Sequence, residues 1–185
     1  MTPRIPRVTQ HPPELDEIIG RSPLGNGVLR LFETLAHNPR LLKRFNVLAG
    51  GLVTKGLIPP RERELVILRT AFRCNSIFEF GQHSVIGKTA GVSDDEIRRI
   101  VLPVANAGFA ADDVALLQMV DELVGANRVS DETWQRLASR WEYAELLELM
   151  MVAGVYWMLA GILNSAGVEP EPGVPGWPAT VPSRS

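Results

Sequence analysis

A chain of 185 residues, 45% hydrophobic and with a formal net charge of -2, is long enough to bury one substantial core and shows no break that demands a second domain. Its lysines and arginines are scattered along amphipathic segments instead of gathered into a run, so the electrostatic footprint of a nucleic-acid binder is missing. The single cysteine, Cys74, excludes an internal disulfide and fits a reducing, cytoplasmic setting.

The chain reads in three parts: an N-terminal arm over 1–26, a helical domain over 27–166, and a Pro/Gly-rich tail over 167–185. The first residues, Met-Thr-Pro-Arg-Ile-Pro-Arg-Val, lack the apolar core of a signal peptide. After a proline-rich start, Glu14 to Ile19 has the pattern of a short helix. Helices follow over Gly27 to His37 and Pro39 to Lys55, the second opening on a proline where the first helical turn tolerates one. Pro59-Pro60 closes that element and begins the next. The segment Arg61 to Phe72 sets Glu64 on the same stripe as Ile67, Leu68 and Ala71, so this carboxylate points with apolar neighbours toward the interior.

A turn over Arg73 to Asn75 leads into a helix from Ser76 to Ala90, ended by Gly91 as a left-handed cap. Ser93-Asp-Asp-Glu96 has capping-box spacing and opens another short helix. Ala110 to Gly125 and Ser130 to Arg140 are amphipathic. A long, strongly apolar helix then starts at Trp141 or Glu142 and reaches about Ala166. Its longest apolar stretch, Leu146 to Ile162, contains Glu148 and is short for a bilayer span, so no membrane partner is expected. A helix apolar nearly all round needs more than one neighbour, which predicts a homo-oligomer. The tail from Gly167 predicts an extended arm or disorder, not a packed element. Helical spacing dominates and strand-like alternation is absent, so the fold class is all-α.

The chemistry-bearing residues concentrate in Ser76-Ile-Phe-Glu79-Phe-Gly-Gln-His83. At 100° per residue, 76, 79 and 83 share one helical face, where a hydroxyl, a carboxylate and an imidazole can converge. Ser-x-x-Glu is also a capping box, and that reading of Ser76 and Glu79 stands beside the functional one. A carboxylate beside an imidazole holds one tautomer and stabilises the imidazolium, and two carboxylates in one pocket tend to keep one proton between them. Glu64, Glu79 and His83 are therefore candidate proton-transfer groups, with Ser76 beside them. Arg61, Arg69 and Arg73 are candidate cations for a substrate carboxylate. Phe78, Phe80, Tyr156 and Trp157 are candidate walls of an apolar pocket. Glu64, Glu79 and His83 offer only three ligands and no second histidine or cysteine, so neither metal nor other cofactor is expected.

The same residues carry a resemblance. Glu64, eleven residues, Ser76-x-x-Glu79, three residues and His83 resemble the motif of the alkylhydroperoxidase D and carboxymuconolactone decarboxylase superfamily, in whose redox branch two cysteines stand where this chain has Ser76 and Glu79. Ala90-Gly-Val-Ser-Asp-Asp-Glu-Ile97 and Gly154-Val-Tyr-Trp-Met-Leu-Ala-Gly-Ile-Leu-Asn164 resemble its continuation and last helix. The resemblance implies an AhpD-like helical bundle in a trimer or hexamer. It also implies a small lyase or isomerase acting on a carboxylated or lactone-type substrate, with His83, Glu79, Glu64 and Ser76 as its candidate catalytic residues; Arg69, Arg73, Phe80 and Tyr156, from their positions near the motif and at helical spacing, are the candidate substrate-binding ones. A hydroperoxide reductase of the AhpD type is disfavoured because both redox sulfurs are replaced. A non-catalytic oligomeric binder of small ligands is the remaining alternative.

Overall fold

The computed structural model describes residues 3–10, 15 and 29–179. Eight α-helices are present among them: α1 (Arg30–Leu35), α2 (Pro39–Thr54), α3 (Pro60–Arg73), α4 (Ile77–Thr89), α5 (Asp94–Arg99), α6 (Ala111–Ala126), α7 (Asp131–Ala138) and α8 (Tyr143–Ala166). A short 3-10 turn, Val104–Asn106, precedes α6, and no strand occurs among the described residues. The helix expected over Glu14 to Ile19 lies outside the described residues apart from Leu15, which is buried. The helix expected from Gly27 to His37 is described only from Arg30 and stops at Leu35.

α3 is the central element and packs against α4, α6 and α8. Its sequence explains why. Pro60 sits in the first turn, where its missing N–H costs nothing, and Arg63 to Ala71 are buried without interruption. Leu65, Val66, Ile67 and Leu68 are all 0% exposed. Each fully buried side chain of this size contributes roughly 1.5–3 kcal/mol, a margin that lets the same helix carry Glu64 and Arg63 into the interior. Around it lie three apolar clusters: Val66, Ile67 and Leu116 with α7 and α8; Phe32, Leu42 and Phe78 with Leu159 and Leu163; and Leu65, Leu68 and Phe80 with α5 and Leu117.

The turn between α3 and α4 places the site. Asn75 adopts a left-handed conformation (φ 54°), which asparagine tolerates because its short polar side chain bonds locally. The Ser76 amide donates back to the Ala71 carbonyl at 2.8 Å. The chain thus reverses sharply and lays α4 along α3.

α8 is long and apolar enough to cross a membrane by length and composition, with half of that stretch buried within the fold. Leu146, Leu149, Val152, Leu159 and Leu163 face the core, whereas Tyr143, Leu147, Met151, Trp157 and Met158 are exposed.

The C-terminal segment corrects the expectation of a free arm. Residues 168–179 have no helix, but they are packed onto the body. Trp177 lies 4.8 Å from the Phe80 ring and 5.9 Å from the Phe72 ring, centroid to centroid. Buried Glu171 pairs with Arg30 and accepts the Arg30 backbone N–H at 2.6 Å. Composition missed this because two or three well-placed anchors outweigh the low average hydrophobicity of a proline-rich stretch.

Candidate active site

Glu64, on the buried stripe of α3, and His83, on α4, meet in the interior. The Nδ1 of His83 lies 2.6 Å from Glu64 Oε2, with the glutamate fully buried and the imidazole nearly so. A carboxylate only accepts, so Nδ1 carries the donated proton and Nε2 is left as the working nitrogen. Arg63 Nε reaches the other Glu64 oxygen at 3.4 Å, and Tyr156 of α8 stands edge-on to the imidazole with centroids 4.9 Å apart at 89°. A cation, a carboxylate and an imidazole thus run in series, ending at a cavity.

That cavity measures about 410 Å³ and lies between α1, α2, α4 and α8, a size typical of small-molecule sites. α4 contributes Phe78, Glu79, Gln82, His83 and Ile86, which recur at helical spacing on one face. α2 presents Phe45, Asn46, Ala49 and Val53, α1 presents Phe32, and α8 presents Val155, Tyr156 and Leu159. No Lys or Arg lines it among the described residues.

Glu79 is 2% exposed, and neither of its carboxyl oxygens has a hydrogen-bond partner. Desolvation drives its pKa up to about 8, and the nearby Ser76 hydroxyl, pulling the other way without closing a well-formed bond, offsets only part of this. The carboxyl is therefore protonated at neutral pH and can donate. Burial, followed by the nearby Glu64 and Glu79 carboxylates, also raises the Tyr156 phenol above its ordinary range, so that hydroxyl stays neutral.

The capping-box reading of Ser76 and Glu79 does not hold. Ser76 occupies the N-cap of α4 but its side chain accepts no backbone N–H, and its hydroxyl is buried without a partner. The box forms instead at Ser93 and Glu96, as their spacing predicts.

Five residues expected beside the substrate lie outside this cavity. Arg69 grips Asp121 with bonds of 2.7 and 2.6 Å and donates to the carbonyls of Ile100 and Leu102. Arg73 pairs with the same Asp121 at 2.8 Å. Arg61, the third candidate cation, is held by Glu96 and Asp113. All three satisfy carboxylates outside the cavity, because the α3 face that carries them turns toward α5 and α6. Phe80 packs with Leu65, Leu68 and Trp177 on the side of α4 away from the cavity, and Trp157 is an exposed residue of α8. Phe78 and Tyr156 do line the cavity.

Two residues escaped the sequence reading. Arg63 is adjacent to Glu64 in the sequence, and the buried stripe alone gave no sign that it turns inward. Gln82 is 3% exposed with both amide atoms unpartnered; its position three residues after Glu79 on the motif face was the available signal.

The cavity does not touch Cys74, whose thiol is pushed up to about 11, chiefly by burial and then by the Glu79 carboxylate. Among the described residues, no three His, Cys, Asp or Glu side chains group so as to hold a metal ion.

A hairpin of buried helices that sets a Glu64–His83 pair beside an apolar cavity, with His83 on its wall, defines an all-α protein with buried ionisable groups at a pocket. Residues 39–122 match the model described as the Carboxymuconolactone decarboxylase family. That stretch holds Glu64, Glu79 and His83, and over it the chain is similar to this family. The fold is similar to that of an uncharacterized peroxidase-related protein from Ralstonia eutropha JMP134, described as an alkylhydroperoxidase AhpD core (TM-score 0.78, 17% identity, 91% of this chain and 90% of that one). It also resembles a peroxidase-related protein from Silicibacter sp. TM1040 (TM-score 0.74, 14% identity, 94% and 96%). A third similar structure is the debrominase Bmp8 in complex with 2,3,4-tribromopyrrole (TM-score 0.72, 15% identity, 86% and 87%). No curated protein matches the sequence.

Proposed function

We propose that this protein is a small lyase or isomerase that moves a proton at an enolisable carbon of a lactone-type substrate, with His83 as base and Glu79 as acid. The observation carrying this reading is the 2.6 Å bond that fixes His83 Nδ1 on Glu64 while the imidazole borders a cavity that also receives the unpartnered Glu79 carboxyl. In the forward step the substrate C–H bond breaks and its proton passes to His83 Nε2. The electron pair forms the enol double bond, and the carbonyl oxygen takes the Glu79 proton. Glu64 stabilises the imidazolium so formed, and Arg63 braces Glu64. Reprotonation at the same or another carbon restores both groups without any redox change.

A hydroperoxide reductase is the weaker reading. Ser76 and Glu79 supply no thiolate, and Cys74 stays protonated near neutrality, whereas the attacking species must be the thiolate.

The test is deuterium uptake from D₂O by a β,γ-unsaturated lactone, followed by NMR. Exchange in the wild type that disappears in His83→Asn and falls strongly in Glu64→Gln is the expected result. Binding without exchange in the wild type would replace this reading with that of a ligand-binding protein.

A further inference from the structure

Gln82 is the most unusual side chain of the cavity that the proton-transfer scheme does not use. Its amide is buried at 3% exposure, and neither Oε1 nor Nε2 has a hydrogen-bond partner. One turn earlier on the same face, Glu79 is 2% exposed with both oxygens unpartnered. A buried amide or carboxyl left without a partner is destabilising, so a fold that keeps two of them side by side holds a recognition site in reserve. Gln82 and Glu79 line the same cavity as Phe45, Phe78 and Tyr156.

The rest of the cavity defines what those groups can receive. With no Lys or Arg along it among the described residues, a carboxylate brought inside would shed its water beside Glu79 and meet only His83, an imidazole whose charge Glu64 already balances. Burial of an unpaired anion is strongly unfavourable. The arginines of α3 do not relieve this: Arg63 is paired with Glu64, Arg61 with Glu96 and Asp113, and Arg69 and Arg73 with Asp121. A neutral carbonyl suits both groups: one donor comes from the Gln82 amide, a second from the protonated Glu79 carboxyl, and the Gln82 oxygen remains for an enol hydroxyl.

Resting on the proton-transfer reading above, we propose that Gln82 and Glu79 form a specificity clamp that selects an uncharged, ring-sized enolisable carbonyl compound and rejects its carboxylated analogue. Gln82 orients the carbonyl so that the carbon beside it faces His83, and the aromatic walls take up the apolar part of the ring. Selection by an unpaired buried polar group discriminates strongly, because the wrong ligand leaves both itself and the site unsatisfied.

The experiment is isothermal titration of the full chain with α-angelica lactone and with the same ring bearing a carboxymethyl group in place of methyl. The neutral lactone is expected to bind at least tenfold more tightly. Gln82→Leu should weaken it by roughly tenfold, as expected for loss of a hydrogen bond in a dry site. Melting temperatures run in parallel establish that the variant is folded, and the comparison of the two ligands on the wild type needs no variant. Equal or tighter binding of the carboxylated ring, no binding of the neutral one, or unchanged affinity in folded Gln82→Leu would each overturn the proposal. Failure of the proton-transfer reading looks different: selectivity would persist while deuterium exchange in His83→Asn matched the wild type.

Discussion

Glu64 and His83, nineteen residues apart on two different helices, hold each other at 2.6 Å in the interior. The pair depends on the α3–α4 reversal at Asn75. Arg63 lies against the same carboxylate, so Glu64 compensates two buried basic side chains at once. Removing it with Glu64→Ala should destabilise the fold by about 3–5 kcal/mol, the usual effect of stranding a buried charge. Urea unfolding is the measurement, and a loss under about 1 kcal/mol, the scale of an exposed ion pair, would mean that the pair is solvated.

Glu79 gives stability a pH dependence of unusual sign. Its pKa is about 8 in the fold against an ordinary 4.5. Between those values the native state keeps a proton that the unfolded chain has released, so stability falls as pH rises, by up to about 1.4 kcal/mol per pH unit. Below 4.5 and above 8 this contribution is flat. Glu79→Gln removes the slope, and its advantage over the wild type should be larger at pH 8 than at pH 5 in denaturant titrations. A constant difference between the two would place Glu79 in water.

Activity that needs the Glu79 proton should be present at neutral pH and decline as pH rises through about 8. The pH profile of deuterium exchange in a β,γ-unsaturated lactone reports this limb. A rate that keeps rising past pH 9 would remove Glu79 from the acid role.

Cys74, with its thiol held up to about 11, should contribute no dithiol-dependent hydroperoxide turnover. Wild type and Cys74→Ser are expected to be indistinguishable in a peroxide-consumption assay. Robust turnover lost in the serine variant would favour a one-cysteine peroxidase.

The C-terminal segment crosses α4 directly over Gly81, where a Cβ would lie 2.7 Å from the Pro175 carbonyl oxygen and 2.9 Å from Val174 Cγ2. Gly81→Val should therefore lift the segment and expose it to limited proteolysis after Gly167, with Trp177 leaving Phe80. Unchanged protection would show that the segment tolerates a side chain beneath it.

The exposed face of α8, with Tyr143, Leu147, Met151, Trp157 and Met158, supports a homo-oligomer. Surfaces of this apolar character normally serve association. Sedimentation at micromolar concentration should show more than a monomer, shifting toward monomer in Met151→Glu. A monomeric wild type would contradict the assembly.

Period and punctuation in the sequence determined the helices themselves. Pro39 and Pro60 start α2 and α3, Gly91 and Gly167 take the left-handed conformation at helix ends, and Ser93 with Glu96 caps α5. These are local preferences of a few residues and need no tertiary partner. The contact of Glu64 with His83 and the common face of Glu79 and His83 were legible because helical spacing puts the last two on one face and the stripe on α3 turns the first inward. Which arginine would stand beside them was not, since Arg61, Arg63, Arg69 and Arg73 share one helix and differ only in what α4, α5 and α6 set against each. Asp121 and Asp113 claim Arg69, Arg73 and Arg61 from more than forty residues away. Only packing decides such pairings. The same holds for the absence of a partner at Gln82 and Glu79: a helix places a polar side chain on a face, but the neighbouring helices decide whether anything there can answer it.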